Sequence, residues 1–153
     1  MASIDRSDPV ILGHVLAEHR ELFNLIQSVR AAFAAPERPS PERRNEVLLM
    51  LRSLRCHLRD HFTREECGGF LEEAVTRLPR LSAAMRAILL QHPALLENLD
   101  GVISSLESAP EHSESWTAAG KAYEAFACQM AAHEQRENAV IQEGYCEDLG
   151  LAE

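Results

Sequence analysis

The feature that most constrains this chain is a polar pair set into an apolar helical seam. Trp116, Ala119, Tyr123, Phe126, Met130, His133, Glu137 and Val140 recur at alternating steps of three and four. That is the spacing of residues facing the core of a helical bundle. The seam is apolar until His133 and then carries an imidazole and, one turn later, a carboxylate. An ionised carboxylate in a core needs a partner, because desolvation costs several kcal/mol in effective terms. A metal ion is such a partner, since His133 and Glu137 share one helix face.

Three other segments repeat the theme. A first helix is expected to start at Asp8-Pro9, an acidic N-cap followed by proline. Its stripe is Leu12, Val15, Leu16, His19, Leu22, Phe23, Ile26, Val29 and Phe33, with His19 in the middle. It ends before the link Pro36-Glu37-Arg38-Pro39. Ser40-Pro41 signals a second start. The stripe that follows is Val47, Leu51, Leu54, Leu58, His61 and Glu65, so His and Glu again stand four apart. Gly68-Gly69 ends or bends that helix, and Phe70 to Arg77 reads as a short further helical stretch. A third long helix begins near Pro79 with the stripe Leu81, Met85, Ile88, His92, Leu95, Leu99, Val102 and Leu106. Pro93 directly follows His92 and predicts a kink. Ala109-Pro110 closes this helix. The fourth runs from about Ser113–Ser115 to Gly144, read as its C′ residue, with an acidic tail from Tyr145.

Long helices joined by short links predict an all-α, up-down-up-down antiparallel four-helix bundle. A short helical stretch falls between the second and third. The chain of 153 residues fits one domain spanning 1–153, with its core at about 8–144. With a rise of roughly 1.5 Å per residue, the four seam histidines fall within about one turn of a common level. His19, His61, Glu65, His92, His133 and Glu137 then converge from four helices. A single histidine on an apolar face is ordinarily a satisfied core residue; four at one level, two followed by in-phase glutamates, make a site. Four imidazoles and two carboxylates exceed one tetrahedral zinc and suit two metals bridged by carboxylates. Mixed nitrogen and oxygen donors suit iron, manganese or zinc, and an open position suits iron meeting oxygen. Glu18, Glu66 and Glu134 are neighbours placed to accept from the outer ring nitrogens. His57, one turn before His61, is a possible additional ligand or a partner of one. His14 and His112 read as surface.

The pattern resembles the hemerythrin-like (HHE cation-binding) family. The matching pieces are His19 in Glu18-His19-Arg20-Glu21-Leu22, His61 in His61-Phe62-Thr63-Arg64-Glu65-Glu66, His92 in Gln91-His92-Pro93, and His133 with Glu137. They span about residues 10 to 143. The resemblance implies a non-haem di-iron centre, two iron ions held by the six residues, that binds or senses dioxygen or a related small oxidant. The oxygen carriers of that family have a second histidine one turn after the third-helix ligand; Leu96 stands there. The ligand set is closer to the branch associated with oxygen and iron sensing, nitrosative stress and iron-centre repair. Two other readings compete: a di-iron enzyme acting on peroxide or nitric oxide or donating iron for repair, and a metal-stabilised structural or adaptor module. His133-Glu134 begins like a zinc hydrolase motif, but Glu137 stands where the second histidine is required.

Charge narrows the partners. The formal net charge is −9, which argues against nucleic acid or an anionic membrane surface. No apolar run reaches the length of a membrane span. No basic segment followed by an apolar run opens the chain, so a cytoplasmic location is expected. Cys56, Cys67, Cys128 and Cys146 form no Cys-x-x-Cys pair and read as free thiols.

Overall fold

A computed structural model describes residues 4–34, 39–108 and 113–148, with side chains described for 13–34, 39–108 and 114–145. The regular elements of these residues are all helical: α1 (Ile4–Phe33), α2 (Pro41–Glu66), α3 (Phe70–Arg77), a 3-10 turn (Pro79–Leu81), α4 (Ser82–Ser108) and α5 (Ser113–Asp148). None of them is long and apolar enough to cross a membrane.

The start of α2 follows its sequence signal. Ser40 is the N-cap, its hydroxyl accepts from the Arg43 N–H at 3.2 Å, and Pro41 opens the helix. This satisfies one of the donors that a helix start leaves unpaired. The helix ends at Glu66, where the Cys67 N–H donates to the Thr63 carbonyl. Gly68 then takes φ 91°, a left-handed conformation that favours glycine. The short α3 follows. Pro93 lies inside α4, which remains helical on both sides of it. The side chain is exposed and only one backbone hydrogen bond is lost.

Two helix limits differ from expectation. The α1 backbone is helical from Ile4, so Asp8-Pro9 lies within the helix and does not start it. At the other end, α5 runs on to Asp148, and Tyr145 is a buried helical residue rather than the start of a tail. Gly144 is not a stop but a contact. A Cβ placed on it would stand 2.6 Å from the Ala74 Cβ and 2.8 Å from its Cα. The missing side chain lets α3 and α5 approach closely. Ala109-Pro110, His112, most of the Pro36–Pro39 link and the Leu12 and Cys146 side chains lie outside the described residues.

The long helices pack in a ring: α1 against α2 and α5, α4 against α2 and α5. Cross-helix pairs fix the register. Along α1 and α5 they run from Phe33–Trp116 through Arg30–Glu124 and Tyr123 to the Ile26 carbonyl, and on to His19–Asn138. Along α2 and α4 they run from Arg52–Glu107 through Arg55–Asp100 to Glu66–His92.

The interior has two apolar clusters. The larger holds Leu22, Ile26, Leu51, Leu54, Leu58, Leu99, Phe126 and Met130, among others. The smaller, at the α3 end, holds Val15, Leu71, Ala74, Ile88, Val140, Ile141 and Tyr145. Burying each such aliphatic or aromatic side chain contributes about 1.5–3 kcal/mol. The expected α1 stripe was too wide. Val15, Leu22, Ile26 and Val29 are buried, but Leu16 and Phe23 are 38% and 51% exposed. The inward residues step by three and four, and both outliers fall off that line, so Phe23 lies at the surface rather than on the core face.

Candidate metal centre

Between the two apolar clusters lies a polar layer. His19 falls between Val15 and Leu22 on α1, His92 between Ile88 and Leu95 on α4, and His133 and Glu137 between Met130 and Val140 on α5. His61 and Glu65 come from the last turns of α2. All six side chains expected at the site are buried.

The donor atoms form two groups, each within 4.8 Å. One is His19, His61, Glu65 and Glu137; the other is Glu65, His92 and His133. Glu65 belongs to both: its Oε1 lies 3.4 Å from His61 Nε2 and 3.4 Å from His92 Nε2. Glu137 also faces both, with Oε1 2.8 Å from His19 Nε2 and Oε2 3.4 Å from His133 Nε2. A separation of 3.4 Å is long for a hydrogen bond. It suits two donors on one ion, since ligands about 2.1 Å from a tetrahedral centre stand roughly 3.4 Å apart. The inward atoms His61 Nε2, His92 Nε2, His133 Nε2, both Glu65 oxygens and Glu137 Oε2 are buried without a hydrogen-bond partner. Orphaned buried polar atoms are costly. Here they lie close to one another around positions that a cation would fill, so each group could hold a metal ion.

Three of the imidazoles turn Nε2 inward and Nδ1 to an outer acceptor: His19 Nδ1 lies 2.7 Å from Asn138 Oδ1, His133 Nδ1 2.8 Å from Gln91 Oε1 and His92 Nδ1 3.2 Å from Glu66 Oε1. His61 Nδ1, by contrast, stands 3.8 Å from Glu18 Oε2, too far for a hydrogen bond, and is buried without a partner. Such outer partners fix the ring and leave the Nε2 lone pair for a metal. Of the three acceptors expected from the sequence, Glu66 meets His92, Glu18 only approaches His61, and Glu134 Oε1 is buried without a hydrogen-bond partner. Gln91 and Asn138 were not expected, although each adjoins a site residue in the chain. Phe62 was also missed: its ring stacks on His92 with centroids 3.8 Å apart.

The electrostatics describe a site crowded with negative charge. Burial, followed by the neighbouring Glu137, pushes the Glu65 carboxyl up to about 11. Burial opposes the charge on Glu137 too, but His133, His19 and His61 outweigh it and hold that carboxyl well below the usual range. Burial lowers His19, yet its bond to Glu137 leaves it raised overall. Burial lowers His92 and pushes Glu134 up to about 7. Without a metal, burial thus favours the neutral form of Glu65, while the neighbouring imidazoles favour the ionised form of Glu137.

His57 is exposed and belongs to neither donor group. His14 is exposed, and Cys56, Cys67 and Cys128 are free and exposed. Several openings reach the layer, a small one beside Glu18, Glu21, Leu22, His57 and Arg64 reaching His61. A cavity of about 360 Å³ lined by His14, Glu18, Arg64, Gly69 and Phe70 reaches His61 and Glu65. A cleft between α4 and α5 reaches His133.

Comparison with known proteins finds no matching family model, no matching curated protein and no matching solved structure.

Proposed function

We propose that the chain is a hemerythrin-like non-haem di-iron protein that binds or senses dioxygen or a related small oxidant. In this reading the chain is cytoplasmic and the bundle is up-down-up-down and antiparallel. The register of the cross-helix pairs supports the antiparallel part. The observation that carries the metal reading is Glu65, shared by two donor groups, opposite Glu137 with one oxygen toward each. His19, His61, Glu65 and Glu137 would hold one ion, and Glu65, His92 and His133 a second. Mixed nitrogen and oxygen donors of this kind suit iron.

Two ferrous ions would supply the electrons that a small oxidant takes up. The protein's own residues do the rest. The two carboxylates offset part of the ionic charge, and Gln91, Asn138 and Glu66 hold three of the imidazoles in place. Leu58, Phe62, Phe126 and Met130, all buried, keep water out. The cavity at His61 and Glu65 gives a small molecule access from one side. Its size also favours a second reading, an enzyme acting on peroxide or nitric oxide, because it admits more than one diatomic molecule.

Metal stoichiometry tests the reading. Glu137→Ala is expected to lose at least one metal per chain while remaining helical by circular dichroism. Unchanged stoichiometry would remove Glu137 from the site.

A further inference from the structure

The cleft between α4 and α5 has a chemistry of its own. It encloses about 310 Å³ and is lined by Gln91, Ala94, Leu95, Asn98, Gln129, Ala132, His133 and Arg136. That is near the lower end of small-molecule sites, roughly 300 Å³. In this acidic chain many arginines are paired with carboxylates, as in Arg30–Glu124, Arg52–Glu107, Arg55–Asp100 and Arg64–Glu18. Arg136 is exposed and makes no hydrogen bond or ion pair with another described residue.

The amides of the cleft are already partly committed. Asn98 Nδ2 donates to Gln129 Oε1 at 2.5 Å, and Gln91 Oε1 is held at 2.8 Å by His133 Nδ1. What remains is the Gln129 NH2, the Gln91 NH2, the second Asn98 N–H and the Arg136 guanidinium, against Asn98 Oδ1 and the spare lone pairs of the two engaged carbonyls. Donors outnumber acceptors, and the strongest is a planar cation whose fork matches a carboxylate. Ala94, Leu95 and Ala132 provide an apolar floor. We infer that this cleft binds a small organic carboxylate, its charged end on Arg136 and the amides, its carbon body on the alanine and leucine floor. The cleft adjoins the metal layer through Gln91 and His133, but its charged donor, Arg136, belongs to neither donor group there.

Calorimetric titration of the full-length chain with butyrate and benzoate, and with butyramide and benzamide as neutral matches, tests the inference. Saturable binding of the acids at millimolar concentration or better, and not of the amides, is expected. Arg136→Gln should weaken it at least tenfold, and Ala132→Leu should block it by filling the floor. Arg86→Gln, another exposed arginine with no described partner, should leave it unchanged. No saturable binding, equal binding of the amides, or full binding by Arg136→Gln would overturn the inference. So would binding of inorganic phosphate alone. Metal content measured on the same samples separates this outcome from the fate of the di-iron reading.

Discussion

Phe62 lies flat on His92, with ring centroids 3.8 Å apart and planes 5° from parallel. The same ring meets His133 edge-on at 5.6 Å. One buried phenyl from α2 therefore positions two imidazoles from α4 and α5, and closes the layer toward the larger apolar cluster.

Phe62→Ala should cost about 3–5 kcal/mol of stability, the usual cost of removing a buried aromatic ring. Phe62→Leu keeps most of the apolar volume and should cost nearer about 1 kcal/mol, the scale of the lost aromatic contact. Both should weaken metal binding on the His92–His133 side. Denaturant unfolding of the metal-free chain and metal titration check the two parts separately. Undiminished metal affinity in Phe62→Leu would show that the stack does not position His92.

Two glycines should respond in opposite directions to the same change. Gly144→Ala drives a Cβ to 2.6 Å from the Ala74 Cβ, an atom close to the backbone that cannot swing away. It should destabilise the chain by about 1–3 kcal/mol, as overpacking does. Gly101 lies inside α4 with nothing within 4 Å of an added Cβ. Gly101→Ala should stabilise by about 0.5–1 kcal/mol through helix propensity. Thermal unfolding of the pair decides whether the α3–α5 contact is as close as described.

The same glycines show what the sequence leaves legible. Gly144 reads as a helix stop because glycine is frequent there, and only the partner helix reveals a contact. The long helices and the six inward residues are visible because alternating steps of three and four mark a face, and a histidine on such a face stands out. Leu16 and Phe23 are apolar but adjoin that face without belonging to it, so the stripe overstates the interface. Phe62 is the reverse case, a residue beside the seam that a neighbouring helix covers. Gln91 and Asn138 look like surface amides, and their role follows from atoms that lie 42 and 119 positions away in the chain.

Metal uptake should release protons. In the metal-free chain Glu65 carries a proton up to about 11, and a metal needs the carboxylate. Affinity should therefore rise with pH through neutrality, by about 1.4 kcal/mol per unit for each proton displaced. Stability of the metal-free chain should move the other way. The folded Glu65 value lies above the ordinary 4.5, so the folded state holds a proton that the unfolded state has lost, and stability falls as pH rises between the two. His19, raised above 6.5, adds the same sign: its contribution is present below that value and lost above the folded one. Glu137 acts oppositely, stabilising above 4.5 and losing this only in strong acid. From neutral to mildly alkaline pH the melting temperature of metal-free protein should drop, while that of the loaded protein should not. Proton release measured in a weakly buffered titration should reach at least one per chain, and metal affinity independent of pH would contradict the assignment.

Anaerobic reconstitution with ferrous iron tests the proposed dinuclear iron site most directly. Metal content and the visible spectrum are recorded before and after exposure to air. Two irons per chain, with a new absorption band that requires oxygen, is the predicted result. One metal or none, with an unchanged spectrum, would contradict it and leave the buried His and Glu layer without its ions.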